Sequence, residues 1–111
     1  MRAKDIGVGS NGQVWIVNTD GKTAFLKDNK FWLYGSTPCE ARRVTVTYNG
    51  QPWIACTNGK AYASSSHSKK GNKWYEVGAW NVKDIAAGPG GDILINGFNG
   101  GIWKYVKRQR N

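Results

Sequence analysis

Apolar and polar positions along this chain alternate in short bursts broken by turn signals, and nowhere do they recur at helical spacing. Val44, Val46 and Tyr48 alternate with Thr45 and Thr47, the period-two pattern of a strand with unlike faces. Asn11-Gly12, Asn49-Gly50 and Asn58-Gly59 are hairpin signals, because both residue types tolerate the positive φ of a type I′ turn. Asp20-Gly21 and Gly90-Gly91 supply similar freedom. The pattern predicts many short antiparallel strands and an all-β fold.

The strands repeat. Asp5 to Ile16, Arg43 to Ile54 and Asp84 to Ile95 align without gaps, at offsets of 38 and then 41 residues. Each continues into a second Gly-containing turn (Asn18 to Lys22, Thr57 to Lys60, Phe98 to Gly101) and then an aromatic-containing segment: Ala24-Phe25-Leu26, Ala61-Tyr62-Ala63 and Ile102-Trp103-Lys104-Tyr105. The first two copies add Phe31-Trp32-Leu33-Tyr34 and Trp74-Tyr75-Glu76-Val77, whereas the third has no room for such a segment before Asn111. A four-stranded antiparallel unit of about 40 residues, repeated, is the signature of β-propeller blades. Ankyrin and TPR repeats are not much shorter, but they require helical periodicity. One domain of three repeats is expected, over residues 4–38, 42–79 and 83–111.

The Asp5 to Lys22 segment, with its looser copies at Arg43 to Lys60 and Asp84 to Gly101, resembles the tectonin-type repeat of tectonins, fish-egg lectins and tachylectin-like proteins. Trp32 and Trp74 fit the tryptophan of the repeat's outer strand. The resemblance implies a propeller of roughly six blades that binds carbohydrate or makes protein contacts. The third repeat departs from it, with Leu94 in place of the tryptophan and Asp92 in place of Gln. Three blades cannot close a ring of about 4–8. The array is therefore expected to assemble. A homodimer would complete six blades, and a different protein supplying the missing blades is the alternative.

Trp15 and Trp53 occupy the same repeat position and read as packing between neighbouring blades. Trp32, Trp74 and Trp80, on or near outer strands and connecting loops, are the ligand candidates. A sugar's C–H face stacks on an aromatic ring while its hydroxyls need polar groups beside it. The turns offer such groups in Asn18, Asp20 and Lys22, in Asn58 and Lys60, and in Asn99, although Asn and Asp also serve turns through local hydrogen bonds. Glycan binding is thus the leading expectation, and a scaffold holding protein partners is the alternative.

Charge modifies this picture only slightly. Sixteen Lys and Arg against seven Asp and Glu give +9, which favours acidic partners. Clusters stand at Arg42-Arg43, at Lys69, Lys70 and Lys73, and from Lys104 to Arg110, and the basic charges as a whole are spread over all three repeats. No RNP, zinc-finger or helix-turn-helix pattern accompanies them, which argues against nucleic acid. Gly88-Pro89-Gly90-Gly91 lacks the Gly-Lys-Ser/Thr of a phosphate loop and reads as a hairpin turn. The single histidine, His67, has no second base or orienting carboxylate nearby in sequence, so no enzyme and no cofactor are expected. Cys39 and Cys56 read as two free thiols, although a disulfide between them is geometrically open. Cys56, within Trp53-Ile54-Ala55-Cys56, reads as a small core residue. With one histidine they cannot complete a four-ligand zinc site. No apolar run approaches the ~20 residues of a membrane span. Met1 to Ser10 holds no signal core, so the cytoplasm is expected, with secretion open for a trimmed chain.

Overall fold

The structure is a computed structural model in which residues 2–34, 37–64 and 74–105 are described. The expectations for His67, for Lys69, Lys70 and Lys73, and for the basic end beyond Tyr105 lie outside those residues. Among the described residues, eleven strands form three antiparallel sheets. The first holds β1 (Ala3–Val8), β2 (Val14–Asn18), β3 (Thr23–Lys27) and β4 (Lys30–Leu33). The second holds β5 (Ala41–Val46), β6 (Pro52–Cys56), β7 (Ala61–Ser64) and β8 (Trp74–Glu76), and the third β9 (Val82–Ala87), β10 (Ile93–Gly97) and β11 (Ile102–Tyr105). Within each sheet every strand pairs with its neighbours in sequence.

The sequence repeat is also a repeat of register. Ile6 faces Ile16, Val44 faces Ile54 and Ile85 faces Ile95. In each sheet the first strand bulges at the residue after Ala3, Ala41 or Val82, and that residue is Lys4, Arg42 or Lys83. The Asn-Gly hairpins differ from expectation. Only Gly12, Gly50 and Gly59 take positive φ, and the asparagines before them do not. Gly12 donates its N–H to Gly9 O, and Gly9 donates to Gln13 O, which is a type I turn closed by a left-handed glycine. The reason lies in the side chain: Asn11 Oδ1 accepts the Gln13 N–H at 3.0 Å, which holds Asn11 in the ordinary turn conformation. The type I′ turn occurs at Asp28-Asn29, where φ is 54° and 63°.

The core lies between the sheets. Trp15, Val17, Phe25 and Tyr34 of the first blade pack on Ala41, Val44, Val46, Ile54 and Cys56 of the second. Trp53, Ala55, Ala61, Ala63 and Val77 of the second pack on Val82, Ile85, Ile93 and Ile95 of the third. Trp15 and Trp53 thus fill the two blade boundaries. Backbone ties join the blades too, Ala41 N–H to Gly21 O and Val82 N–H to Gly59 O, both at 2.9 Å. Gly21 has φ +80°, and a Cβ there would stand 3.0 Å from Glu40 Cα, so this close approach requires glycine.

The expectation of free thiols is overturned. Cys39 and Cys56 form a disulfide with Cα atoms 6.0 Å apart. Cys39 lies on the connector between the first two blades. That connector is drawn against the end of β6 by the Thr57 N–H to Glu40 O bond of 2.8 Å, which carries the two cysteines together. Cys56 is fully buried, as a core residue should be.

Candidate recognition surfaces

The turns joining second to third strands all lie on one side of the array, and each uses its candidate residue locally. Asn18 is buried, and its Oδ1 accepts the N–H groups of Asp20 and Lys22, both at 2.9 Å. Asn58 Oδ1 accepts from Lys60 N and Asn99 Oδ1 from Gly101 N. The Lys60 ammonium is 3.3 Å from Glu76. Asp20 and Lys22 do line an open groove of about 420 Å³, shared with Leu33, Thr37, Cys39 and Glu40. The side-chain carbonyls of the three asparagines are therefore turn formers, and Asp20 and Lys22 are the ones that face a groove.

The three candidate tryptophans fall in three environments. Trp32 lies half-exposed across from Phe25, its Nε1–H donated to Lys27 O. Trp74 is packed into the boundary between blades one and two, edge-on to Tyr34 at 5.8 Å, with its Nε1 buried and unpartnered. Period-two alternation explains the difference. Trp74 pairs with Ser64, while Tyr75, one residue on, takes the opposite face of the sheet. Trp80, on the connector from blade two to blade three, is 74% exposed. It lines a cleft of about 280 Å³ with Val77, Ala79, Ile95, Trp103 and Tyr105. Trp103 and Tyr105 were not anticipated as site residues. The repeat did not mark them, since Trp103 stands at the repeat position of Ala24 and Tyr62, and only packing beside the 77–80 connector brings it to the cleft.

The two ends of the array carry apolar faces. Ile6 and Val8 are 59% and 61% exposed, whereas Val44 and Val46, their repeat counterparts, are each 5% exposed. At the other end Leu94 is 49% exposed, against 2% and 4% for Trp15 and Trp53 at the equivalent positions. Ile102 is exposed on the same face. Cationic straps follow the same logic. The Lys4 ammonium lies 3.6 Å from Glu40 at the next blade's entry. The Arg42 guanidinium donates to the carbonyls of Val82 and Lys83 and stacks over Phe98. Lys83, the third of the series, has no following blade among the described residues.

Among the described residues no group of three His, Cys, Asp or Glu side chains gathers as a metal site would, and no helix is long and apolar enough to cross a membrane. No protein-family model matches the chain, and neither does any curated protein. Among solved structures, YCF48 bound to D1 peptide superposes over 92% of this chain with a TM-score of 0.71 and 16% identity. Selenomethionine-substituted virginiamycin B lyase from Staphylococcus aureus superposes over 98%, with a TM-score of 0.61 and 23% identity. The chain forms β-propeller blades. It spans 36% and 42% of those two chains, a minority of each propeller. At such identities the likeness carries the fold, and the lyase's being an enzyme assigns no activity here.

Proposed function

We propose that the chain is a protein-recognition module. Its three tectonin-type blades close a six-bladed ring with a second copy, and the ring holds a protein partner. The observation that carries this reading is the pair of end faces, where residues buried at both internal boundaries recur exposed. A second copy placed head to tail would bury Ile6 and Val8 of one chain against Leu94 and Ile102 of the other. It would repeat the internal ties as well. Ala3 N–H and Gly100 O stand where Ala41 N–H and Gly21 O meet inside the chain, and Lys83 stands where Arg42 clasps the next blade. Two such contacts close on a two-fold axis. The motif at Asp5 to Lys22 supports the tectonin assignment, the peptide on YCF48 supports a protein partner, and the +9 charge supports an acidic one. The Cys39–Cys56 disulfide supports an oxidising compartment in place of the cytoplasm expected from the sequence.

Light scattering at several concentrations tests the ring. The expected mass is twice the 12.3 kDa of one chain, reduced to a monomer by Leu94→Glu. A monomeric native chain overturns the homodimer.

Glycan binding is the second reading, favoured by the exposed Trp80 and Trp103 beside one cleft. A glycan-array signal abolished by Trp80→Ala with the fold intact supports it. No signal on the array removes it.

A further inference from the structure

The cleft beside Trp80 has a counterpart within the same chain. Between blades one and two, Trp74 of β8 seats its ring against Tyr34, 5.8 Å away and edge-on. Tyr34 leaves the first blade by donating its N–H to Thr23 O at 2.9 Å, and Val77 leaves the second by donating to Ala61 O at 3.1 Å. Val77 therefore takes the place of Tyr34 at the next boundary. Tyr105 takes the place of Ser64, the residue that faces Trp74 across β7 and β8. Among the described residues no strand pairs with the outer edge of β11. The position that Trp74 fills at the first boundary is thus an apolar cleft of about 280 Å³ at the second. An apolar cavity of roughly 150 Å³ already accommodates a benzene ring.

The edge itself is set for pairing. Thr23 and Ala61 turn their carbonyls toward the outer strand, and Ile102 occupies the same register opposite Asn96. Hydrogen-bonding direction alternates along an antiparallel strand, so Ile102 and Lys104 both direct N–H and C=O outward. We propose that the edge of β11 accepts an extended peptide segment of a partner protein as the fourth strand of the third blade, with one aromatic side chain seated in the cleft under Trp80 and Trp103. Main-chain pairing supplies affinity and the cleft supplies selection, as in other strand-addition complexes. The +9 charge favours a segment with acidic flanks. This inference rests on the protein-binding reading and needs no ring closure, because the edge lies on the outer rim.

The probe is a synthetic peptide with the sequence of residues 74–79, titrated into the 15N-labelled chain. The expected result is saturable amide shifts at Ala79, Trp80 and Ile102–Tyr105. Ala in place of the peptide's tryptophan should weaken binding at least tenfold. Lys104→Pro in the protein should do the same, since an edge strand tolerates a proline whose N–H would face outward. Absence of shifts there overturns the proposal. So do shifts confined to Tyr62–Ser64, which would mean that the peptide displaces β8, or binding that survives Lys104→Pro. A chain whose own residues already cover the edge gives no shifts and counts against it equally. Light scattering on the same sample separates the two ideas: a dimer that ignores the peptide overturns this inference alone.

Discussion

The two blade boundaries are built on one register and finished differently. At the first, Trp15 meets Tyr34 at 4.8 Å and Phe25 at 5.4 Å, Tyr34 meets Trp74, and a disulfide pins the connector. At the second, Trp53 meets Tyr105 at 5.1 Å, Val77 replaces the tyrosine, and a cleft opens at the rim. The inner half of each boundary follows from the repeat, since the second-strand tryptophan and the first-strand aliphatics recur. The outer half depends on a fourth strand. Where β8 is present, its tryptophan closes the rim; beside β11 the rim is open and aromatic among the described residues. A boundary closed along its whole depth serves stability, and one closed only on its inner side leaves room for recognition.

The sharpest way to break the comparison is Trp15→Ala, which empties the centre of the first boundary. It should lower unfolding free energy by about 3–5 kcal/mol in urea denaturation at fixed protein concentration. A loss under 1 kcal/mol would mean that the aromatic cluster does not hold the two blades together. Reduction of the disulfide comes next. Closing a loop of about 15 residues contributes roughly 3 kcal/mol, so a thiol reductant should shift the urea midpoint down by a corresponding amount, and a chain indifferent to reductant would remove the pin. Arg42→Met, which keeps an aliphatic stem but loses both the clasp on Val82 and Lys83 and the guanidinium's stacking over Phe98, should cost about 1–2 kcal/mol. The same change at Lys83 should cost nothing in a monomer and a comparable amount in a closed ring. Trp80→Ala, at an exposed connector, should alter stability by no more than about 0.5 kcal/mol. It should nevertheless weaken whatever the cleft binds, a separation that a paired melt and binding titration would show.

Much of the fold was legible in the residues, and less of the site. The three aligned segments foretold three sheets in one register, because a period of two sets which side chains share a face and a turn every few residues sets where strands end. The Asn-Gly pairs marked the right turns with the wrong geometry, since a hairpin's type depends on where its flanking hydrogen bonds close. Asp28-Asn29, the true type I′ turn, carries no glycine to announce it. Among the site residues, Asn18, Asn58 and Asn99 turned out to serve their own turns. Trp74 turned out to pack inward, because face depends on a register that a one-residue step reverses. Trp80 lines the cleft as the loop position implied. Trp103 and Tyr105 joined it only through packing against a connector of another blade.

The sequence alone determined the repeat, the strand-rich architecture, the tryptophan at the centre of each internal boundary and the apolar character of both end faces. These are local or periodic properties, legible wherever neighbours along the chain share one environment. The tertiary structure decided the Cys39–Cys56 pairing, the side on which each outer tryptophan lies, and the cleft between blades two and three. Each of these arises where residues far apart in sequence meet across a boundary, and the distance between such residues is set only when the sheets pack.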